Sequence, residues 1–267
     1  MTTATAMRIE SRQPADEAQI AAWRDQFHGD GYLFFKNALS AELVDRLKHD
    51  LDGALERESH RGGAGSEIHY RMFESSRANL ELFDLDPIVS LAEALLGDDC
   101  HVIANNSWRT PTAAGFSGWH QDDRLHYTVT DGDTPSNVHL PTLLFSANYY
   151  LTSVDSVEHG PTQVIPGSHL FGQTCPRDVG DTEHAGSIVS CLGPAGSVVL
   201  FNNQTWHRGA ANTSGRVRYV AQVAYGRRII GHKYYPFMNY VMPEHVYRDA
   251  GPRLKRLLGF LPTGAYG

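Results

Sequence analysis

Between His101 and Gly226 the chain is a succession of short β-branched and aromatic runs: "HVIANNSW", "TLLFSANYYL", "TQVIPGS", "SIVSCL", "GSVVLFN" and "VRYVAQVAY". Gly, Pro, Asn and Asp separate them, and no helical periodicity intervenes. A parallel sheet needs a crossover helix between strands. Many strands joined only by turns therefore point to an antiparallel sandwich or small barrel.

Helical signals sit before and after this region. Pro14 opens a stretch with Ile20, Trp23 and Phe27 on one stripe, stopped by Gly29 and Gly31. "YLFF" reads as a short buried strand. Ser40 is placed to cap a helix in which Leu43, Leu47, Leu51 and Leu55 recur every fourth residue. "RGGAGSE" reads as a flexible loop. Asp86 and Pro87 read as the cap and first residue of a further helix ended by Gly97. "PRLKRLLG" suggests a last short helix from Pro252 to Gly259. The expected fold is mainly β with flanking helices. Residues 1–13 form a loose tail, 14–100 a mostly helical flank, 101–230 the β core, and 231–267 a C-terminal loop and short helix. Without repeat or linker, 1–267 reads as a single domain.

A net charge of −7 argues against nucleic-acid or anionic-membrane partners, both of which select clustered Lys and Arg. No run approaches the ~18 apolar residues of a membrane span, and "MTTATAMRIESRQ" lacks the apolar core of a secretory signal. Cys100, Cys175 and Cys191 are odd in number and form no C-x-x-C pair, so no disulfide framework is expected. The expectation is a cytoplasmic protein with a small-molecule substrate; its oligomeric state is open. H-E-x-x-H, G-x-S-x-G, phosphate-loop and G-x-G-x-x-G patterns are all missing.

The chemistry concentrates in "SGWHQDDRLHY" (117–127). On an extended segment residues i and i+2 share a face, so His120 and Asp122 point one way while Gln121 and Asp123 point the other. One imidazole nitrogen beside one carboxylate oxygen can hold two corners of an octahedral metal. A second histidine completes a 2-His-1-carboxylate facial triad with three positions left for substrates, a geometry suited to non-haem Fe(II). Among so many histidines and carboxylates an H-x-D pair is a weak signal alone. The candidate partner is His207 in "LFNNQTWHRGAANTSGRVRYVAQVAYGRR", which follows a strand and precedes a turn. On the return strand Arg218, Val220 and Gln222 alternate with Tyr219, Ala221 and Val223. Across that hairpin Arg218 can reach the same cavity, where its planar fork would hold a dicarboxylate. Standing alone, these residues would read as a surface hairpin with a solvated arginine.

"WHQDD", "HGPTQVIPGSHL" and "WHRGAANTSGRVRYVAQVAYGRR" resemble, in order and spacing, the phytanoyl-CoA dioxygenase family of Fe(II)/2-oxoglutarate oxygenases, over roughly residues 18–262. The resemblance implies a double-stranded β-helix, a jelly-roll or cupin-like barrel. It implies His120, Asp122 and His207 as catalytic iron ligands, Arg218 as anchor for the distal carboxylate of 2-oxoglutarate, and Thr162 as a hydroxyl donor to that cosubstrate. Gln121 occupies a position that reaches the active site in some members, although alternation turns it away. His169 would be structural. Fe(II), 2-oxoglutarate and O2 would be required, and 2-oxoglutarate would leave as succinate and CO2. Halogenating relatives carry a small residue where this chain has Asp122, so hydroxylation of a C–H bond is the default. Epimerisation, cyclisation and desaturation use the same oxidant and stay open. Secondary metabolism is the expected setting.

His126 and His139, in loops near a barrel mouth, and Asn148 and Tyr150, sharing a strand face, are candidates to touch substrate. Trp119 and Trp206 should pack away from the metal. The 123–140 loop and "GHKYYPFMNY" are candidates for lid and aromatic wall. Rival readings are a Zn- or Mn-loaded isomerase or hydrolase, which has no need for Arg218, and a non-catalytic ligand-binding barrel.

Overall fold

In the computed structural model, described over residues 2–9, 14–58, 60–61, 65–114, 118–130, 140–234 and 239–260, strands and helices follow the alternation of the sequence. In chain order they are β1 (Thr2–Thr3), β2 (Met7–Arg8), α1 (Glu17–Asp30), β3 (Tyr32–Lys36), α2 (Ala41–Arg57), β4 (His60–Arg61) and β5 (Glu67–Tyr70). Then come α3 (Arg77–Phe83), α4 (Ile88–Leu96), β6 (His101–Thr110), β7 (Leu144–Tyr150), β8 (Thr162–Val164) and β9 (Val189–Ser190). The last are β10 (Val198–Asn202), β11 (His207–Gly209), β12 (Arg218–Gly226), α5 (Glu244–Tyr247) and α6 (Pro252–Leu257).

Two sheets result. The larger has the order β2-β3-β10-β7-β12-β6-β5-β4 and the smaller β1-β9-β8-β11. Strands of the large sheet bury both faces, which the pleat sorts by parity. Leu33, Phe35, Phe145, Ala147, Tyr149, Val198, Leu200, Ala221, Val223 and Tyr225 pack against the helices, joined there by Phe27, Leu43, Leu47 and Leu91. The opposite parity, with Phe34, Tyr150, Val199, Phe201 and Val220, meets Val164, Val189 and Cys191 of the small sheet. These two facing sheets form the expected jelly roll, mainly β with flanking helices.

Local signals hold at most helix ends. Ser40 Oγ accepts the Leu43 N–H at 3.2 Å, a cap worth about 1 kcal/mol. α1 is capped by Asp16, two residues inside Pro14. It ends at Gly31, whose φ of 74° requires glycine. The Gly31 carbonyl accepts both the Asn202 N–H and the Thr205 hydroxyl at 2.9 Å, which ties α1 to the turn that leads into His207.

Two expectations need correction. The start of the chain is not a loose tail: β1 pairs parallel with β9 and β2 with β3, so residues 2–8 join both sheets through backbone bonds that composition does not announce. Within 14–100, α1 to α4 are accompanied by the "YLFF" strand β3 and by β5 and β4, two strands on either side of the "RGGAGSE" loop that the sequence reading did not anticipate. Asp86 does not cap α4, whose first residue is Ile88; its carboxylate takes the Ser90 hydroxyl and pairs with Arg253 at 3.0 Å. Both arginines of "PRLKRLLG" are thereby engaged, since Arg253 also binds Glu93 and Arg256 binds the same carboxylate.

Candidate active site

The backbone of residues 120–122 lies against the β10–β11 connection. His120 and His207 exchange backbone bonds at 3.0 and 2.9 Å, and the Asp122 N–H donates to the Asn203 carbonyl at 2.9 Å. His120 sits on an isolated bridge, not on the regular strand that alternation assumed. The outcome for the side chains is nevertheless the expected one. Nε2 of His120 and Nε2 of His207 lie 3.7 and 3.5 Å from Oδ1 of Asp122, and the three ligand atoms all fall within 4.8 Å of one another.

Each imidazole is oriented from behind. Nδ1 of His207 donates to the Thr205 carbonyl at 2.8 Å, and Nδ1 of His120 to the Gly118 carbonyl at 3.0 Å. With Nδ1 carrying the proton, both Nε2 lone pairs face the carboxylate, the second-layer pattern that fixes the tautomer of a ligating histidine. Burial pushes the Asp122 carboxyl up, but His207, His120 and Lys233 more than offset this and hold it below the usual carboxylate range. Burial pulls His207 down, yet the neighbouring Asp122 raises it on balance; His120 is lowered, by burial first and by His207 second. Two imidazole nitrogens and one ionised carboxylate, converging from one side on an open cavity, suit an octahedral ferrous ion with three positions free.

The cavity has a volume of about 1190 Å³. The inward parity of β12 supplies Arg218, Val220, Gln222 and Ala224, as the alternation predicts. The Arg218 Nη1 donates to the Gly160 carbonyl, while its Nε is buried with no partner. No ion pair to Arg218 occurs among the described residues. Burial lowers its pKa, the cost of a cation held in a wall without a counter-charge. A dicarboxylate would supply that charge bidentately. Thr162 lines the same end, and its N–H donates to the Tyr150 hydroxyl at 2.9 Å.

The remaining candidates divide. Asn148 lines the cavity and accepts a bond from Gln222 Nε2 at 2.9 Å. Tyr150 shares its parity but is no lining residue: fully covered by the small sheet, its hydroxyl bridges from the Thr162 N–H to the Cys191 carbonyl. Gln121 also turns away, accepting the Cys175 N–H at 2.9 Å, so alternation prevails over the position-by-position carry-over. His126 faces Asn203 Nδ2 (3.3 Å) and Asp123 (3.7 Å) outside the cavity. His139, with residues 131–138 of the 123–140 loop, lies outside the described residues. His169 reaches the His28 carbonyl at 3.1 Å and is structural. Trp119 and Trp206 pack together with Ile165, Val179 and Ile188, away from the cavity. Sequence reasoning missed Asn106, Trp108 and Ser146, which the sheet register places beside Gln222, Val220 and Ala224. It also missed Lys233; only the aromatic-wall reading of its loop touched that region, through Tyr234.

A jelly roll with two imidazoles and a carboxylate meeting in its cavity is the arrangement of iron- and 2-oxoglutarate-dependent oxygenases. The chain belongs to the phytanoyl-CoA dioxygenase family, whose model matches residues 27–220. It is 26% identical over 252 residues to the ectoine dioxygenase of Halomonas elongata, covering 81% of this chain and 72% of that protein. In fold it is similar to the epimerase SnoN in complex with Fe3+, alpha ketoglutarate and nogalamycin RO, with a TM-score of 0.64, 19% identity, and 80% and 85% of the two chains covered. HygX from Streptomyces hygroscopicus, with nickel, 2-oxoglutarate and hygromycin B bound, matches with a TM-score of 0.62 at 14% identity, covering 85% and 96%. The protein is thus an Fe(II)/2-oxoglutarate-dependent oxygenase requiring O2. No described helix is long and apolar enough to cross a membrane.

Proposed function

We propose that His120, Asp122 and His207 hold the ferrous ion and that Arg218, with the Thr162 hydroxyl, receives the distal carboxylate of 2-oxoglutarate. The enzyme then hydroxylates a C–H bond of a small molecule of secondary metabolism, as a single cytoplasmic oxygenase domain. The observation that carries this reading is Arg218: a buried guanidinium without a carboxylate partner, in the same cavity as the triad. A Zn- or Mn-loaded isomerase has no use for it. The small-molecule substrate is supported by the ectoine, nogalamycin and hygromycin B named for the relatives and structural neighbours.

When bound, iron and 2-oxoglutarate together supply an O2-derived oxidant able to take hydrogen from a C–H bond, with release of succinate and CO2. The chain's own residues set the conditions. Asp122 would fill the corner that a halide needs, which argues against halogenation; hydroxylation is the default, and epimerisation, cyclisation or desaturation would draw on the same oxidant. Thr205 and Gly118 hold the two imidazoles as Nδ1–H tautomers with Nε2 inward. Gly160 and Thr162 sit around the Arg218 fork and orient the cosubstrate. Phe201, Val220 and Trp108 wall the cavity with apolar surface and keep water from the reacting carbon.

Anaerobic titration of the protein with Fe(II) and then 2-oxoglutarate tests the assignment. A weak visible charge-transfer band should develop in the wild type and be lost in Arg218→Ala, with Fe(II) still bound. A band that persists unchanged in Arg218→Ala would remove the arginine from the cosubstrate site.

A further inference from the structure

The cavity is larger than the ~300–1,000 Å³ typical of a single small-ligand site, at about 1190 Å³. It runs along the inward faces of β6 and β12. At one end Arg218 pairs in register with Thr110; towards the other, Ala224 pairs with Ala104. Six residues of strand, roughly 20 Å, separate these rungs. The triad lies towards the Ala224 level. Phe201, whose ring is 4.3 Å from that of His207, stands opposite Ser146 in the register, and Ser146 stands opposite Ala224.

A cosubstrate that chelates the metal and ends on Arg218 occupies the stretch between the triad and the Thr110 rung. The far end has its own cation. Lys233 lines the cavity, and its backbone N–H donates to the Ile103 carbonyl at 2.6 Å, which pins the residue beside the Ala104 rung. Tyr234, buried and bonded through its hydroxyl to the Val102 carbonyl, fixes the next position and makes the adjoining wall.

Most other charged groups lining this part of the cavity are engaged. Arg71 pairs with Glu74 at 3.1 Å and lies over the Tyr240 ring, and Glu74 also takes the Tyr240 hydroxyl. Glu58 lies 3.2 Å from His60. Arg57 is exposed at the end of α2. Lys233 has no ion-pair partner among the described residues.

Resting on the reading of the triad and Arg218 given above, we propose that Lys233 is the specificity-determining anchor for an anionic group, a carboxylate, on the primary substrate. The cavity then holds two cations with separate duties: Arg218 receives the carboxylate of the cosubstrate, and Lys233 receives that of the substrate and holds its aliphatic or ring carbons over the iron. The Asn148–Gln222 pair and Asn106, in register across the floor, supply neutral donors and acceptors to the rest of the molecule. An exposed lysine ammonium on the cavity lining discriminates by charge: it favours a carboxylic acid over its neutral amide and disfavours an amine.

The test uses the Fe(II)- and 2-oxoglutarate-loaded protein under argon with three matched probes: cyclohexanecarboxylate, cyclohexanecarboxamide and cyclohexylmethylamine. Binding is read by paramagnetic broadening of the probe protons, and the charge-transfer band is recorded in every sample. The carboxylate should bind about tenfold more tightly than the amide, and the amine not at all. Lys233→Gln should abolish the difference by weakening the carboxylate alone, and Lys233→Glu should transfer the preference to the amine. Equal binding of acid and amide, no binding of the acid to the wild type, or a Lys233→Gln variant that loses affinity for 2-oxoglutarate would each overturn the assignment. A wild type without the band would instead sink the underlying reading of the metal and cosubstrate site, so the two failures are told apart.

Discussion

Nε2 of His207 lies 3.5 Å from Oδ1 of Asp122, inside hydrogen-bonding or ligating reach once either side chain moves slightly, and the His207 ring is locked from behind by the Thr205 carbonyl. Without metal the pair stabilises itself, since Asp122 raises the imidazole and His207 helps hold the carboxylate ionised. Asp122→Ala removes one ligand of three. Loss of a residue that merely orients a ligand costs about 10–100-fold in metal affinity, so loss of the carboxylate itself should cost at least about 100-fold. Fe(II) titration against a competing chelator reads this directly, and near wild-type affinity would exclude Asp122 from the coordination sphere.

Gly160 supports Arg218 by close approach. Its φ is 70°, and a Cβ there would stand 2.7 Å from the Ala210 carbonyl and 2.9 Å from Arg218 Nη1. Gly160→Ala should therefore displace the guanidinium. We expect 2-oxoglutarate affinity to fall by about tenfold or more, with Fe(II) affinity unchanged, measured by the charge-transfer band and the chelator titration together.

Tyr150 serves the cosubstrate end indirectly. Its buried hydroxyl takes the Thr162 N–H and donates to the Cys191 carbonyl, joining β7 to the small sheet. Tyr150→Phe leaves two buried backbone groups unpaired, at about 1–3 kcal/mol. At roughly 2–4 °C per kcal/mol for a chain of this size, Tm should fall by several degrees. The KM for 2-oxoglutarate should rise more than kcat falls, because Thr162 loses its support. An unchanged Tm would show the hydroxyl to be dispensable.

His101 gives a pH dependence of definite sign. Burial lowers its folded-state pKa, and its Nε2 bonds the Ile230 carbonyl at 2.7 Å. The unfolded imidazole titrates near its ordinary value of about 6.5, so below that pH the unfolded state binds more protons. The contribution of His101 is fully present above about pH 6.5 and is lost as pH falls towards the lowered folded value. Urea midpoints measured at pH 7.5 and 5.5 should drop on acidification, and the drop should be smaller in His101→Gln. His207 works in the opposite direction in metal-free protein, so the wild-type-minus-variant difference isolates His101; a drop of equal size in both would refute the claim.

Much of the site was legible because its residues obey local rules. The pleat alone puts Arg218, Val220 and Gln222 on one face of β12, as found. The helix stripe Leu43, Leu47, Leu51 and Leu55 was readable for the same reason, as was the Ser40 cap. Where reading failed, a nearer partner competed. Pro87 precedes α4 while Asp86 is drawn to Arg253, far along the chain. Tyr150 has the inward parity of Asn148, but the small sheet closes over it.

What the sequence determined by itself, then, is periodicity: which segments are strands or helices, which side of each faces inward, and that an imidazole, a carboxylate, a second imidazole and an arginine recur in an order resembling one enzyme family. These follow from backbone geometry within a few residues. Only the tertiary structure decided that β1 and β2 would tie into both sheets, that the Gly31 carbonyl would hold the turn before His207, and that Lys233 would stand at the far end of the cavity from Arg218. Each depends on a backbone hydrogen bond or a packing contact between residues remote in the chain. Such partners are selected by the register of the whole sheet, and no short window of sequence contains it.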